Sequence, residues 1–251
     1  MPKDLDAPSG HASAHYECLY LARGSEVDTS RPVFTGDVFN KVKVFSPAKN
    51  DSKHRAVLVV QHPCSLRDDG VQLAFNLLVA EVRQPKLIAD WAEYTKLMPL
   101  PSLKPERESG ARNQAALFKE LYLVTEADLA QGHRVGCLSL EGVDLLLQRW
   151  IFYSSRVVVD LPTIDQVIAG PWTEAEIIEE WCQHRSLHGI AADAAMAECV
   201  SWLRDTTPSG VRQALLEAPQ HRSTIRRDAR AACRLLDSGP SVEAVFPDLE
   251  S

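Results

Sequence analysis

The chain has 251 residues, 45% apolar and 24% charged, enough for one large domain or two ordinary ones with a real core. A net charge of −7 excludes a protein that coats nucleic acid wholesale, while leaving room for a local basic site. No stretch reaches the roughly 20 apolar residues that span a bilayer, and Met1-Pro2-Lys3-Asp4 leads into polar residues without a secretory h-region. A cytoplasmic location without membrane contact is therefore expected. The six cysteines (Cys18, Cys64, Cys137, Cys182, Cys199, Cys233) form no C-x-x-C pair, and most read as buried free thiols.

Residues 1–32 read as an N-terminal arm with one alternating stretch, Tyr16 to Leu21, suited to an edge strand. From Val33 the texture is β-rich. Val38 to Phe45 follows Gly36-Asp37 and alternates in part. Pro47 to Lys53 reads as a loop, and Ala56-Val57-Leu58-Val59-Val60 as a strand buried on both faces. Asp68-Asp69-Gly70 signals a turn before the apolar stretch Val71 to Val82. Three strands on short polar loops favour an antiparallel sheet curling into a small barrel.

A crossover insertion over 84–112 holds four prolines and one helical turn near Trp91 and Tyr94. Leu117 to Val124 and Val135 to Leu138 resume strand character. Ser139 is placed to cap a helix carrying Val143, Leu146, Leu147 and Trp150, and Arg156 to Leu161 returns to β character. Pro162, Gly170 and Pro171 mark the end of a β-rich domain spanning 33–165. A helical domain over 166–251 follows. Thr173 with Glu176 forms a capping-box pattern, and Gly189 ends that helix. A second helix covers 190–205, Pro208-Ser209 opens a third that Pro219 closes, and Ser223 caps a fourth to about Leu236. The tail from Gly239 reads as loose. The fold class is α+β: a small antiparallel barrel followed by a helical domain.

The passage Gly36-Asp37-Val38-Phe39, followed a hairpin later by Arg55-Ala56-Val57-Leu58-Val59-Val60-Gln61, resembles the MazF/PemK family of toxin ribonucleases over Gly36 to Arg83. The resemblance implies an SH3-like barrel and RNA cleavage without metal or cofactor, in which the 2′-hydroxyl attacks the adjacent phosphate. An arginine that falls on Arg55 would stabilise the developing charge, often the largest catalytic contribution. The family's second residue, a Ser or Thr, falls on or near Arg83, which has no hydroxyl, and Ala56 stands where proline is usual. Arg83 and Arg67 are then the expected RNA contacts.

Three further constellations stand out. His62-Pro63-Cys64-Ser65 crowds an imidazole and a thiol into one loop, with Arg67 near enough to favour the thiolate; a structural turn is the simpler reading. His184 and His188, with Cys182 beside them, have zinc-like spacing but no third ligand, and read as helix-end residues rather than a metal site. Arg222, Arg226, Arg230 and Arg234, with Arg227 beside them, form a basic helix stripe. It is suited to RNA, to a protein partner, or to pairing with Glu174, Glu176, Glu179 and Glu180.

Two functions follow as expectations. The first is an endoribonuclease with a helical appendage. The second is a non-catalytic interaction module of a toxin–antitoxin or phage-defence operon, with a protein partner on its C-terminal helices and room for oligomerisation. The chain carries no Walker loop, G-x-G-x-x-G, H-E-x-x-H or G-x-S-x-G.

Overall fold

A computed structural model describes residues 5–9, 16–46, 50–68, 72–85, 91–103 and 114–237. The chain divides into two compact units, one of Met1–Thr29 with Val33–Ile168 and one of Ser30–Pro32 with Ala169–Ser251.

The first unit is a seven-stranded antiparallel sheet. Its strands are β1 (Tyr20–Arg23), β2 (Asp37–Ser46), β3 (Asp51–Val59), β4 (Leu77–Arg83), β5 (Leu97–Leu100), β6 (Gln114–Val124) and β7 (His133–Leu138). They run in the order β1-β7-β2-β3-β4-β6-β5. The sheet curls into a half-barrel, so the expected α+β fold of barrel-like sheet and helical region holds. Its edges approach each other through side chains: the Tyr20 hydroxyl donates to Pro101 O at 2.9 Å, and Arg23 donates to Ser102 O at 2.8 Å. Because β5 is an edge strand, paired only with β6, Pro99 costs it no ladder bond.

Val57, Leu58, Val59 and Val60 are buried as their β-branched run requires. β3 starts earlier than the apolar run, at Asp51, so Asp51 to Lys53 are strand rather than loop; Pro47 to Lys49 lie outside the described residues. Val42 and Val44 of β2 face inward while Lys41, Lys43 and Phe45 alternate outward.

Gly36 opens β2 because no other residue fits there. Its φ is +87°, and a Cβ would lie 2.9 Å from the Leu138 Cβ. Its N–H donates to Val59 O at 2.9 Å and its carbonyl accepts from Leu138 N at 3.2 Å, tying β3 to β7 across the strand start. Asp37 is buried beside it, where its carboxylate accepts from Phe34 N at 2.9 Å and faces Arg134 at 3.5 Å. Replacing Gly36 by alanine is expected to cost roughly 2–4 kcal/mol by combined strain and overpacking, measured as a lower urea midpoint at unchanged m-value.

Thr125 and Asp128 form a reciprocal capping box that starts α1 (Glu126–Ala130). Ser139 caps α2 (Leu140–Ser155), its hydroxyl accepting from Gly142 N at 3.1 Å. Leu145, Leu146 and Leu147 of α2 are buried, and Phe118 of β6 meets Trp150 at 5.5 Å and Tyr153 at 5.6 Å.

The chain from Arg156 to Leu161 is not β. Arg156 closes α2 in the left-handed region, residues 157–160 are irregular, and Leu161 already belongs to the next helix. That helix, α3 (Leu161–Ser186), continues through Pro162, Gly170 and Pro171, and the two units divide inside it, between Ile168 and Ala169. Asp160 accepts from Thr163 N at 2.8 Å near its start, and Thr173 is no cap, its hydroxyl donating back to Ala169 O at 2.7 Å. Gly189, with φ +76°, follows its end.

In the second unit α4 (Ala192–Arg204) precedes a two-residue hairpin, β8 (Thr206–Thr207) and β9 (Gly210–Val211). Pro208-Ser209 is thus a hairpin turn, and only a single-turn α5 (Arg212–Leu215) follows it. Pro219 begins α6 (Pro219–Asp237) rather than ending a helix, as its fixed φ and missing N–H allow at a first turn, and Ser223 lies inside. Trp172, Ile177, Trp181, Cys199, Leu203, Ile225 and Cys233 are among the buried residues of this unit, with Trp181 and Trp202 rings 5.7 Å apart. None of the six cysteines is in a disulfide. The tail from Gly239 lies outside the described residues. Among those residues no helix is long and apolar enough to cross a membrane.

Candidate functional site

Strand register gathers the principal site. Val57 of β3 faces Glu81 of β4, and Val79 of β4 faces Tyr122 of β6. Alternation puts Arg55, two residues before Val57, on the face that carries Glu81, Arg83 and Tyr122. A register shift between Ala80 and Glu81 leaves Phe118 to Glu120 of β6 as a bulge beside Glu81.

Glu81 is the centre. Its side chain is 4% exposed and receives Arg83 Nε at 2.7 Å and a second Arg83 nitrogen at 3.0 Å. The Tyr122 hydroxyl donates to the same carboxylate at 2.9 Å, and Arg55 Nε lies 3.2 Å away. The guanidinium-bearing side chains are 36% exposed at Arg55 and 48% at Arg83. One buried carboxylate therefore braces two half-exposed cations, giving a local charge of +1 before Glu120, 4.0 Å from Arg83, is counted.

Burial pushes the Glu81 carboxyl up. The hydrogen bonds from Arg83 and Tyr122, with the charges of Arg83 and Arg55, outweigh it and hold the group below the usual carboxylate range. Burial, followed by the bond to Glu81, raises the Tyr122 phenol. At neutral pH the cluster thus holds a carboxylate, a protonated phenol and two guanidinium ions. On the neighbouring β2–β3 hairpin, alternation puts Lys53 on the Arg55 face, where it pairs with Asp51 at 3.0 Å, while Lys43 and His54, opposite each other in register, take the other face.

Because Glu81 has a lowered pKa when folded, its stabilisation is present above the ordinary carboxylate range and is lost as pH falls through the folded value. Glu81→Gln is expected to cost roughly 1–3 kcal/mol at pH 7, with the gap to the native chain closing below pH ~4. Urea titrations at several pH values measure it.

The other sequence candidates do not join this cluster. Arg67 donates to Val33 O at 3.2 Å and bridges Leu73 across its loop. His62 caps the single turn Pro63–Ser65, its Nδ1 accepting from Cys64 N at 3.3 Å, and burial lowers its pKa. That nitrogen serves the backbone, as a structural turn requires. Gln61 braces the loop, donating to Ser65 O at 3.0 Å and accepting from Leu78 N at 3.2 Å.

Most of the α6 stripe is bound within its own unit. Arg226 pairs with Glu176, Arg230 holds Glu180 at 2.8 and 2.9 Å, and Arg222 donates to Leu216 O and Glu217 O. Arg227 contacts Asp228 at 3.2 Å, while Arg234 lines a cleft against α3. His184 and His188 stack with ring centres 5.6 Å apart, and the Cys182 thiol donates to Ala192 O at 3.7 Å.

Sequence reasoning passed over Glu81 and Tyr122. The available signal was a lone carboxylate inside the apolar run Leu77 to Val82, two residues before Arg83. It also passed over Asp144 of α2, a buried carboxyl whose Oδ1 has no hydrogen-bond partner among the described residues. Burial, then the charges of Asp165 and Glu141, raise its pKa from 3.8 to about 7. Here the sign reverses: the folded state holds the proton longer, so stability falls as pH rises from about 4 to about 7. Asp144→Asn is expected to gain roughly 1–3 kcal/mol above pH 7 and nothing below pH ~4, read as a melting-temperature difference at the two ends.

No protein-family model matches the chain, and no curated protein matches its sequence.

Proposed function

We propose that the half-barrel is a metal-independent endoribonuclease acting on single-stranded RNA. Arg55 and Arg83 hold the scissile phosphate, and Glu81 braces both. The observation that carries this reading is the convergence of Arg55 and Arg83 on one buried carboxylate, with each guanidinium group still half open to solvent.

A fixed pair of guanidinium groups suits a phosphodiester. Planar donors bind its non-bridging oxygens in parallel pairs, and they gain as negative charge builds in the transition state. Attack by the 2′-hydroxyl oxygen on phosphorus, its proton passing to water, breaks the P–O5′ bond; the leaving oxygen takes a proton back from water, giving a 2′,3′-cyclic phosphate and a 5′-hydroxyl. In this reading Arg55 stabilises the charge on the phosphorane, Arg83 orients the phosphate, and the Tyr122 hydroxyl fixes Glu81. Lys53, two residues before Arg55 and on the same strand face, adds a further cation beside the pair. A toxin or phage-defence role agrees with such an activity.

The test is cleavage of a long single-stranded RNA in EDTA by the native chain beside Arg55→Ala. Products from the native chain alone support the proposal; equal products, or none from either, count against it. A second reading rests on the burial of Glu81 beneath the two arginines, which withdraws the carboxylate they share from the role of proton acceptor. Under that reading the same surface binds RNA without cutting it, as an interaction module. RNA binding that is lost in Arg55→Ala, with no product at any time, distinguishes it.

A further inference from the structure

The Glu81 carboxylate is taken up by its neighbours. Its oxygens receive two Arg83 nitrogens and the Tyr122 hydroxyl, with Arg55 Nε at 3.2 Å and the side chain 4% exposed. A group that removes the 2′-hydroxyl proton must instead be open to the substrate and have lone pairs to offer.

Glu120 meets both conditions. The pairs Ala80–Leu121 and Glu81–Leu117 leave Phe118, Lys119 and Glu120 without partners on β4. Extra residues of this kind bend a strand and re-aim its side chains. Phe118 N donates to Lys96 O at 3.1 Å, which ties the bulge to the chain entering β5. The Glu120 carboxylate then lies 4.0 Å from Arg83 Nη2 with its side chain 33% exposed, and among the described residues no hydrogen bond occupies it. Arg83 thus stands between two carboxylates of opposite character, one buried and saturated, the other exposed and unbonded.

The charged and titratable groups around Glu120 are Lys119 and Tyr122 on β6, Arg83 and Glu81 on β4, and Lys96 before β5. Arg55 and Lys53 on β3 stand beyond Glu81. A phosphate oxygen held by Arg83 would lie ~2.8 Å from the guanidinium nitrogen. In a near-attack geometry the 2′-oxygen is ~3 Å from the phosphorus. A carboxylate 4.0 Å from the same nitrogen is therefore within reach of the 2′-hydroxyl.

We propose that Glu120 is the general base of the cleavage, an assignment that rests on the ribonuclease reading. Glu120 takes the proton from the 2′-hydroxyl as that oxygen bonds to phosphorus and the P–O5′ bond breaks. It then releases that proton to water, while the leaving O5′ takes its own proton from water. Glu120 does not help to bind RNA, because its charge opposes that of the phosphate.

The test uses a fluorogenic DNA oligonucleotide with a single ribonucleotide, cut in EDTA from about pH 4 to 9. The native chain is compared with Glu120→Gln, Glu120→Asp and Arg55→Ala, and affinity is measured on the same oligonucleotide with 2′-deoxy at the cut. Native kcat is expected to rise with the slope of one proton on the acid side and then level off. In Glu120→Gln, kcat at pH 7 should fall by about 10²–10⁴-fold. It should also keep rising with pH as hydroxide replaces the base, while the 2′-deoxy oligonucleotide binds at least as tightly as to the native chain. Glu120→Asp should keep the native profile at a lower plateau. Cutting by Glu120→Gln at close to the native rate, a loss with the profile unchanged, or a loss matched by weaker binding overturns the base assignment. The ribonuclease reading survives those outcomes if Arg55→Ala is slowed; no cutting by the native chain overturns both.

Discussion

Replacing Arg55 by alanine is expected to lower the rate of RNA cleavage by about 10²–10³-fold, the usual loss when one donor to a developing oxyanion is removed. Arg83→Ala should act differently. Its guanidinium group makes two bonds to Glu81 where Arg55 makes one 3.2 Å contact. Removing it frees Glu81 to turn toward Arg55, so both RNA affinity and turnover should fall. The double variant should lose less than the product of the two single losses, because the arginines share one carboxylate. Glu81→Gln separates bracing from charge: it leaves both cations in place but loosens them, so it should raise KM more than it lowers kcat. Steady-state cleavage of a fluorogenic oligoribonucleotide, run in EDTA across the four variants, measures all of this.

The largest effect on stability is expected at Arg149. This α2 side chain is fully buried, donating to Leu145 O at 3.2 Å, to Trp91 O at 3.3 Å and to Asp6 O, with its guanidinium group 5.3 Å from the Trp91 ring centre. Burial lowers its pKa to about 10, the Asp6 charge opposing, so it stays charged at neutral pH. Gln148 secures the same stretch, accepting from Asp6 N at 2.8 Å and donating to Val159 O at 2.9 Å. Arg149→Ala leaves two carbonyls unpaired beside a cavity and should cost roughly 3–5 kcal/mol. In a chain of this size that lowers the melting temperature by roughly 6–20 °C. Arg149→Lys keeps the charge but not the fork of donors, and should recover less than half of the loss. Differential scanning calorimetry of the three chains at pH 7 decides it.

The sequence reveals this fold where local pattern and packing agree. The run Ala56 to Val60 reads as a buried strand because branched residues on both faces leave it no solvent side, and the Ser139 cap is a short-range hydrogen bond. Disagreement arises where tertiary packing overrides a local signal. β5 is hidden in a proline-rich stretch because Pro99 is harmless on an edge, a position that only the sheet order defines. Gly170 and Pro171 look like a break, yet the helix continues through them. A Cβ at Gly170 would lie 2.9 Å from the Glu217 carboxylate, so the glycine there answers to packing.

The candidate site divides in the same way. Arg55 and Arg83 are visible as charges flanking apolar strands, but what joins them is a register, Val57 opposite Glu81, and no single-strand pattern contains it. Tyr122 enters only through the pairing of β4 with β6. The α6 arginines show the converse. Their stripe is plain in the sequence, while the partners Glu176 and Glu180 lie on another helix, fifty residues upstream.

The chemistry at the ends of the RNA product tests the central claim most directly. A single-stranded RNA of several hundred nucleotides, incubated with the native chain in EDTA, should yield fragments ending in 2′,3′-cyclic phosphate and beginning with 5′-hydroxyl. A 2′-deoxy substitution at a mapped cut should abolish that cut alone, and Arg55→Ala should slow all of them by about 10²–10³-fold. Uncut RNA, cutting that persists at the 2′-deoxy position, or cutting at the native rate in Arg55→Ala would contradict the assignment of Arg55, Glu81 and Arg83 as a ribonuclease site.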